Sequence, residues 1–495
     1  MDSLERDVLE VHALVRFLKN SLASINRIPP EVLSLIPDYF HEDYMDRGLI
    51  TLTHVCRHWR GTFIFNSSLW TRLNFTDLDK ILTYIERSKS SPLEFHVIDN
   101  QGSLDAFPLV MPHLHKLKRL TISAGLLPEV FKHFHCCAPL LEELDIEIVG
   151  PYEPDLDHKL FNGDLSSLRK LSLGKVRTDL PWRNMANLQV FVLTSLTPTN
   201  DVTQLLDFFE SAPLLHTIRL QGSIPSLSNA PPKRIVLLSR LHTLCITADP
   251  IHSTLLNHLS IPAGASLIQE FEYRGQEFPL LDYLPETLAN LRNLSDITAL
   301  DLRFNILQKF ITLTGPSGGL RILALWIEMA VSYNMDHWVL SSLPIFPLSR
   351  IQRLSVMGYG HHIFNDMDDH QVFQTLSLAN NLRILVLTKC DNLSFIVALD
   401  PAENLTGLLL CPHLEELVLH IGLLDQLCTD ALILMVKNRA SIGVKLSSIV
   451  IIGLGEVALG EEALKLREHI LNVEYRADGE QPDWESSLID SDESD

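Results

Sequence analysis

A chain of 495 residues, 46% hydrophobic and 20% charged, has the composition of a folded protein and is too long for one compact core, so several domains or an elongated array are expected. Its 61 acidic and 40 basic residues leave a formal charge of −21, which argues against a nucleic-acid surface built from clustered lysine and arginine. No run reaches the roughly 18 apolar residues of a membrane span, and MDSLERDVLEVHALVRFLKN lacks a signal-peptide core. A cytoplasmic or nuclear location is therefore expected, with Cys56, Cys136, Cys137, Cys245, Cys390, Cys411 and Cys428 reduced.

In chain order, Leu4, Val8, Val11, Val15 and Leu18 recur at three- and four-residue steps, predicting an amphipathic helix within residues 1–23 that packs on something nearby. Between Ile25 and Phe75 a compact helical stretch follows, with Pro29 and Pro30 opening its first helix. A second helix is expected to carry Leu49, Leu52, Val55, Cys56 and Trp59.

From about residue 90 a repeat takes over, with apolar residues at the first, fourth and sixth of six positions. LKRLTI, LEELDI, LRKLSL, LHTIRL and LHTLCI begin at 117, 141, 168, 215 and 241; ITALDL, LRILAL, IQRLSV, LRILVL and LEELVL begin at 297, 320, 351, 382 and 414. Weaker copies begin at 188, 268 and 446, and the spacing overlaps the leucine-rich-repeat period. Three buried apolar side chains contribute roughly 5–9 kcal/mol, far short of the entropy of ordering a whole copy, so copies must stack. Each six-residue piece is predicted to be one strand of a continuous parallel sheet. Segments such as 202–213 and 425–440 have the apolar spacing of helical returns. The fold class expected is α/β: N-terminal helices, then an irregular solenoid of uneven curvature, since only Cys390 supplies the turn-ordering Asn or Cys that usually follows the last leucine. Residues 474–495 carry 9 acids against Arg476 alone and read as a solvated tail in which Ser491 and Ser494 suit an acid-directed kinase.

Side chains alternate along a strand, so the residues between the core positions face the other side of the sheet. The 141 copy is expected to present Glu143, Asp145 and Glu147; the 320 copy Ile322, Ala324 and Trp326; the 351 copy Arg353, Ser355 and Met357; the 382 copy Ile384, Val386 and Thr388. Ile322, Trp326, Arg353, Met357, Ile384 and Val386 compose an apolar patch with arginine at its edge, which has the make-up of a binding hot spot for a protein target. The competing expectation is that a connector such as 332–348 covers it.

Catalytic and cofactor signals are weak. Gly315-Pro316-Ser317-Gly318-Gly319 matches G-x-S-x-G but leads straight into a repeat strand and reads as a turn. His133, His135, Cys136 and Cys137 lack a second ligand pair at zinc spacing, and the run from His361 to His370 reads as a solvated loop. No phosphate-cradling or dinucleotide glycine motif is complete. No enzyme activity, metal or cofactor is expected.

INRIPPEVLSLI (25–36) followed by LITLTHVCRHWRGTFIFNSSLWTRLNF (49–75) resembles the F-box, in the version common in large fungal families. The resemblance rests on Ile28-Pro29, Glu31-Val32-Leu33, Val55-Cys56-Arg57, Trp59-Arg60 and Ser68-Leu69-Trp70; the chain departs from the pattern at Pro37, which should shorten the first helix, and in the long polar link at 41–48. It implies a three-helix unit over 24–79 that binds a Skp-type adaptor, and through it a cullin scaffold, using Pro29, Pro30, Leu33, Ile36, Leu52, Val55 and Trp59 as an exposed apolar patch. The repeats over 80–473 would then present a target for ubiquitination. The alternative is a leucine-rich-repeat scaffold independent of any ligase, its N-terminal helices serving as an end cap.

Overall fold

The computed structural model describes residues 3–40, 45–74, 77–98, 101–124, 134, 136–150, 153–156, 160–178, 185–196, 202–222, 234–247, 253–273, 285, 288–294, 297–304, 308–314, 319–326, 343–358, 369–388, 390, 392–403, 407–420, 426–453 and 461–476. It is an α/β protein with an N-terminal helical region and largely parallel strands, and the chain divides into two compact units, Met1–Ser195 and Leu196–Asp495. The division falls inside the repeat region expected over 80–473.

The first unit begins with α1 (Ser3–Leu22), α2 (Pro30–Leu33), α3 (Met45–Thr53) and α4 (Arg57–Phe65), followed by 3-10 turns and helices α5 (Leu78–Ser88) and α6 (Gln101–Val110). Strands β1 (Arg72–Leu73), β2 (Leu93–Ile98), β3 (Leu117–Ala124), β4 (Glu143–Ile148), β6 (Lys170–Gly174) and β8 (Val190–Leu196) pair in chain order, all parallel. A small parallel pair, β5 (Asp155–Leu156) and β7 (Arg177–Thr178), lies beside them in sequence.

Register turns the repeat into continuous apolar rows. Leu73, Phe95, Leu120, Leu144, Leu171 and Phe191 are aligned partners, as are Val97, Ile122, Ile146, Leu173 and Leu193, and all are buried. Phe107, Phe134 and Phe161 recur every 27 residues in the connecting segments and stack in turn, beginning from Phe95, at 5.3, 5.6 and 5.2 Å between ring centres. This second, aromatic repeat supports the strands from the connector side.

The second unit opens with β9 (Thr217–Gly222), β11 (Thr243–Thr247) and β13 (Ser266–Tyr273), again parallel, with the short pair β10 (Val236–Leu237) and β12 (Leu259–Ser260). There the order breaks. β14 (Ala299–Phe304), β15 (Gln308–Thr314) and β16 (Gly319–Trp326) form an antiparallel meander, β16 pairing with β13 and β14 with β17 (Arg353–Gly358). The expectation of one continuous parallel sheet is thus corrected. The cause is chain length: residues 305–307 and 315–318 are too few for the crossover that parallel neighbours need, so each link joins antiparallel strands. Beyond it β17, β18 (Ile384–Thr388), β19 (Glu416–His420), β20 (Ser448–Ile452) and β21 (Asn472–Arg476) resume parallel pairing. β21 also corrects the expected tail boundary at 474, because Asn472–Arg476 completes the ladder on β20.

The expected helical returns are present as Val202–Ser211, with Val202, Leu205, Leu206, Phe208 and Phe209 buried, and as Gln426–Ser441. The latter carries a fully buried arginine. Arg439 Nη1 donates to the carbonyls of Leu399 (3.2 Å) and Leu410 (2.9 Å), and Nη2 to that of Cys411 (2.8 Å). Cys411 sits at φ 46°, and burial pushes its thiol up to about 12, only partly countered by the Arg439 charge. Next to it Asn438 Nδ2 donates to both carboxylate oxygens of Asp400 at 3.0 Å. One guanidinium therefore gathers carbonyls from the end of the Asn392–Leu399 helix and from the segment leading into β19. Arg439→Ala leaves these carbonyls without their donor, each at a cost of about 1–3 kcal/mol, so a loss of roughly 3 kcal/mol or more in chemical denaturation is expected, with Arg439→Lys recovering only part.

Candidate protein-interaction surfaces

The N-terminal helical module is held by its own core. Pro29 precedes α2 in extended conformation, Pro30 occupies the first helical position, and α2 ends at Leu33; Pro37 lies in the 3-10 turn Ile36–Tyr39 that follows. Trp59 on α4 packs edge-on against Phe63 at 5.8 Å, and its indole N–H donates to Asn26 Oδ1 at 2.6 Å. Gly48 lets α3 approach the Phe40 ring, since a Cβ there would lie 2.6 Å from it.

Of the seven residues expected to form the exposed apolar patch, Pro29, Pro30 and Val55 are exposed and Ile36 is half-buried, whereas Leu33, Leu52 and Trp59 are 0%, 8% and 8% accessible. For these three the expectation of an exposed position is corrected: they face inward and, with Leu49 and Phe63, close the small core that such short helices can build. Val32, Leu35, Tyr39 and Phe65, which the sequence reading passed over, are exposed instead. Val32, Leu35 and Tyr39 follow one another at steps of three and four residues, and that spacing was the available signal for them.

Trp70 ties the module to the next helix, α5. It is buried, its indole N–H donates to the Phe63 carbonyl at 2.8 Å, its ring meets Tyr84 edge-on at 4.8 Å, and the Arg87 guanidinium lies 4.3 Å from the ring centre. The residues on either side of the 79/80 boundary thus pack together.

In the first unit the sheet face away from the core is charged. Arg72, Glu94, Arg119, Glu143 and Lys170 are successive partners on five adjacent strands, alternating in sign. Arg119 binds Glu143 through two hydrogen bonds of 2.8 Å and also lies 3.6 Å from Glu94, which is 3.3 Å from Arg72. The hydrogen bond to Arg119 holds the Glu143 carboxyl below its ordinary range, against the opposing effect of partial burial, with Lys170 and Lys118 adding to the charge attraction. Asp145 and Glu147 complete the acidic file on β4 in the alternation expected, and Gly174, lacking a side chain, leaves room for the Glu147 carboxylate over β6.

The second unit differs. Val386, Val418 and Val450 are aligned partners on the face away from the leucine rows, yet are only 1%, 4% and 3% accessible, and with Ile452 and the partly buried Ile384 they form a second apolar cluster. Ser355 and Met357 on the same face are also buried. The expected target patch is corrected accordingly: Met357 and Val386 are interior, Ile384 packs on the interior cluster, and Arg353 is half-buried. The physical sign was in the strands themselves. ILVLT, ELVLH and SIVII are continuous apolar runs, the pattern of strands buried on both faces, whereas ELDIEI and KLSLG alternate. Ile322 and Trp326 belong to β16, and their side chains lie outside the described residues.

His133, His135, Gly315–Gly318 and 361–368 also lie outside them; Cys136 and Cys137 are exposed. Among the described residues no group of three or more His, Cys, Asp or Glu side chains is arranged to hold a metal, and no helix is long and apolar enough to cross a membrane. Comparison with protein-family models finds no matching family, and comparison with curated proteins finds no match to this chain.

The ion-pair row has a pH signature. Glu143 is depressed on folding, so its contribution is complete above the ordinary carboxylate range and is lost as pH falls through its lowered folded-state value. Both partners are about a third exposed, so solvent screening keeps the coupling to roughly 0.5–1 kcal/mol at neutral pH. A double-mutant cycle of Arg119→Met and Glu143→Gln should measure that value near pH 7 and close to none in acid.

Proposed function

We propose that this chain is the substrate-recognition subunit of a Skp–cullin–F-box ubiquitin ligase, and that its strand array is an irregular leucine-rich-repeat solenoid. The observation that carries the reading is the N-terminal helical module, whose surface presents Pro29, Pro30, Val32, Leu35, Tyr39 and Val55 while its core is closed by Leu33, Leu52, Trp59 and Phe63. Exposed apolar side chains in this number on so small a unit are what a docking surface requires. Support also comes from Trp70, which fixes that module to α5 of the same unit, so that an adaptor bound there would be held in a set orientation to the rest of the first unit. In this reading the chain performs no bond chemistry. A partner transfers ubiquitin, and the rate gain comes from proximity, the conversion of an encounter between molecules into one within a complex.

The proposed target surface keeps Trp326 and Ile322, four residues apart on β16, and loses Met357 and Val386 to the interior. Aspartate at Ile384 would strike the valine cluster and unfold the sheet locally, so Trp326→Asp alone is the informative substitution for target capture.

The primary test is co-elution of the purified chain with a Skp-type adaptor on size exclusion. Wild type is expected to form a complex, and Leu35→Asp/Val55→Asp, which alters only exposed positions, should abolish it while leaving the thermal unfolding profile unchanged. A folded wild-type chain that fails to bind the adaptor overturns the ligase reading and leaves a repeat scaffold capped by helices.

A further inference from the structure

The N-terminal helix carries a run of exposed apolar side chains that the adaptor reading does not use. Leu4, Val8, Val11, Val15, Leu18 and Leu22 follow one another at steps of 4, 3, 4, 3 and 4 residues, the 3.5-residue period of a coiled-coil seam, with the exposed Leu14 at its flank. In α1 the five of these from Val8 to Leu22 are 53–70% accessible. The helix turns the opposite side, with Leu9, His12, Arg16 and Asn20, toward a cleft of about 550 Å³ bounded across from it by Asn26 and Cys56. An isolated helix of this length gains most of its stability by packing an apolar face, and this face has no partner among the described residues.

The seam's period identifies another helix as the partner, and the charges flanking it identify which one. Of the charges beside the seam, Glu5 and Asp7 lie in its first half and Lys19 in its second. In an antiparallel pair of identical helices, symmetry places Glu5 of one copy beside Lys19 of the other, twice. It also layers Leu4 on Leu22, Val8 on Leu18 and Val11 on Val15, so that the bulkier leucines at the ends and the valines at the centre fill the seam evenly. A parallel pair would instead set Asp7 beside His12 and Leu14 beside Lys19, forgoing both strong charge pairs. We infer that α1 is a self-association element, pairing antiparallel with α1 of a second copy of this chain to make a two-fold symmetric dimer. The inference does not rest on the adaptor reading, since the seam and the Pro29–Val55 surface share no residue.

Light scattering of the full-length chain over a micromolar concentration series tests it. The wild type should show twice the 56.0 kDa monomer mass. Val11→Glu/Val15→Glu should weaken self-association by at least about a hundredfold, since four buried valines are lost per dimer, with unchanged thermal unfolding of the remainder. Glu5→Lys and Lys19→Glu should each weaken the dimer, and the two combined in one chain should restore it, because the charge pair is then rebuilt with its signs exchanged. A monomeric wild type overturns the inference, as does a dimer indifferent to Val11→Glu/Val15→Glu, or one that the combined charge exchange fails to restore. A monomer that instead sediments with anionic lipid vesicles assigns the seam to a bilayer surface and overturns it equally.

Discussion

No strand of this protein can stand alone. A piece such as ELDIEI or KLSLG contributes two or three apolar side chains on one face, and the free energy of burying them falls well below the entropy of holding the backbone extended. What makes the strand stable is the parallel, in-register neighbour on each side, which supplies both the backbone hydrogen bonds and the next side chain in the apolar row. The rest of each unit answers to that constraint. Connectors must return within about two dozen residues, and where they do so repeatedly at the same length they place the same side chain at the same height, as the Phe107, Phe134 and Phe161 stack does. Where a connector is too short, as between β14, β15 and β16, direction has to alternate and strand order departs from chain order.

Those two regimes explain what was legible in the sequence. The spacing of leucines located the strands, and the apolar spacing of 202–213 and 425–440 located two of the helices, because in each case the pattern and the period of the element coincide. Strand order through 299–326 was not legible from the repeat, since ITALDL and LRILAL look like ordinary successive copies; the extra strand between them, Gln308–Thr314, has Ile311 and Leu313 at the later positions but Gln308 where a copy's leading leucine stands. Burial on the second face was legible but was misread: valine between leucines in LRILVL and LEELVL marks a doubly buried strand as readily as an exposed hot spot, and the register of Val386, Val418 and Val450 on adjacent strands decides for burial. In the helical module, Leu33, Leu52 and Trp59 were assigned to the surface because the motif they belong to was weighed before the size of the module's core. So small a unit needs its largest side chains inside, and the docking face falls to the residues left over.

The two sheet faces therefore have opposite physical characters, and this bears on where a partner can be held. In the second unit the face away from the leucine rows is closed over an apolar cluster, and reaching Val386 or Val418 would require opening the fold. In the first unit the corresponding face is polar, and its ion pairs already satisfy one another: Arg72, Glu94, Arg119 and Glu143 form a row in which each interior member is flanked by opposite charge. A row of that kind fixes register across strands, since a slip by one residue would turn every charge into the core, and it offers little unspent attraction to a ligand. Asp145 and Glu147 continue the acidic file of β4 beside that row. In the first unit the exposed apolar side chains cluster on the α2–α4 module and along α1, both at the same end of its chain, and their burial is the gain that the proposed docking and self-association would draw on.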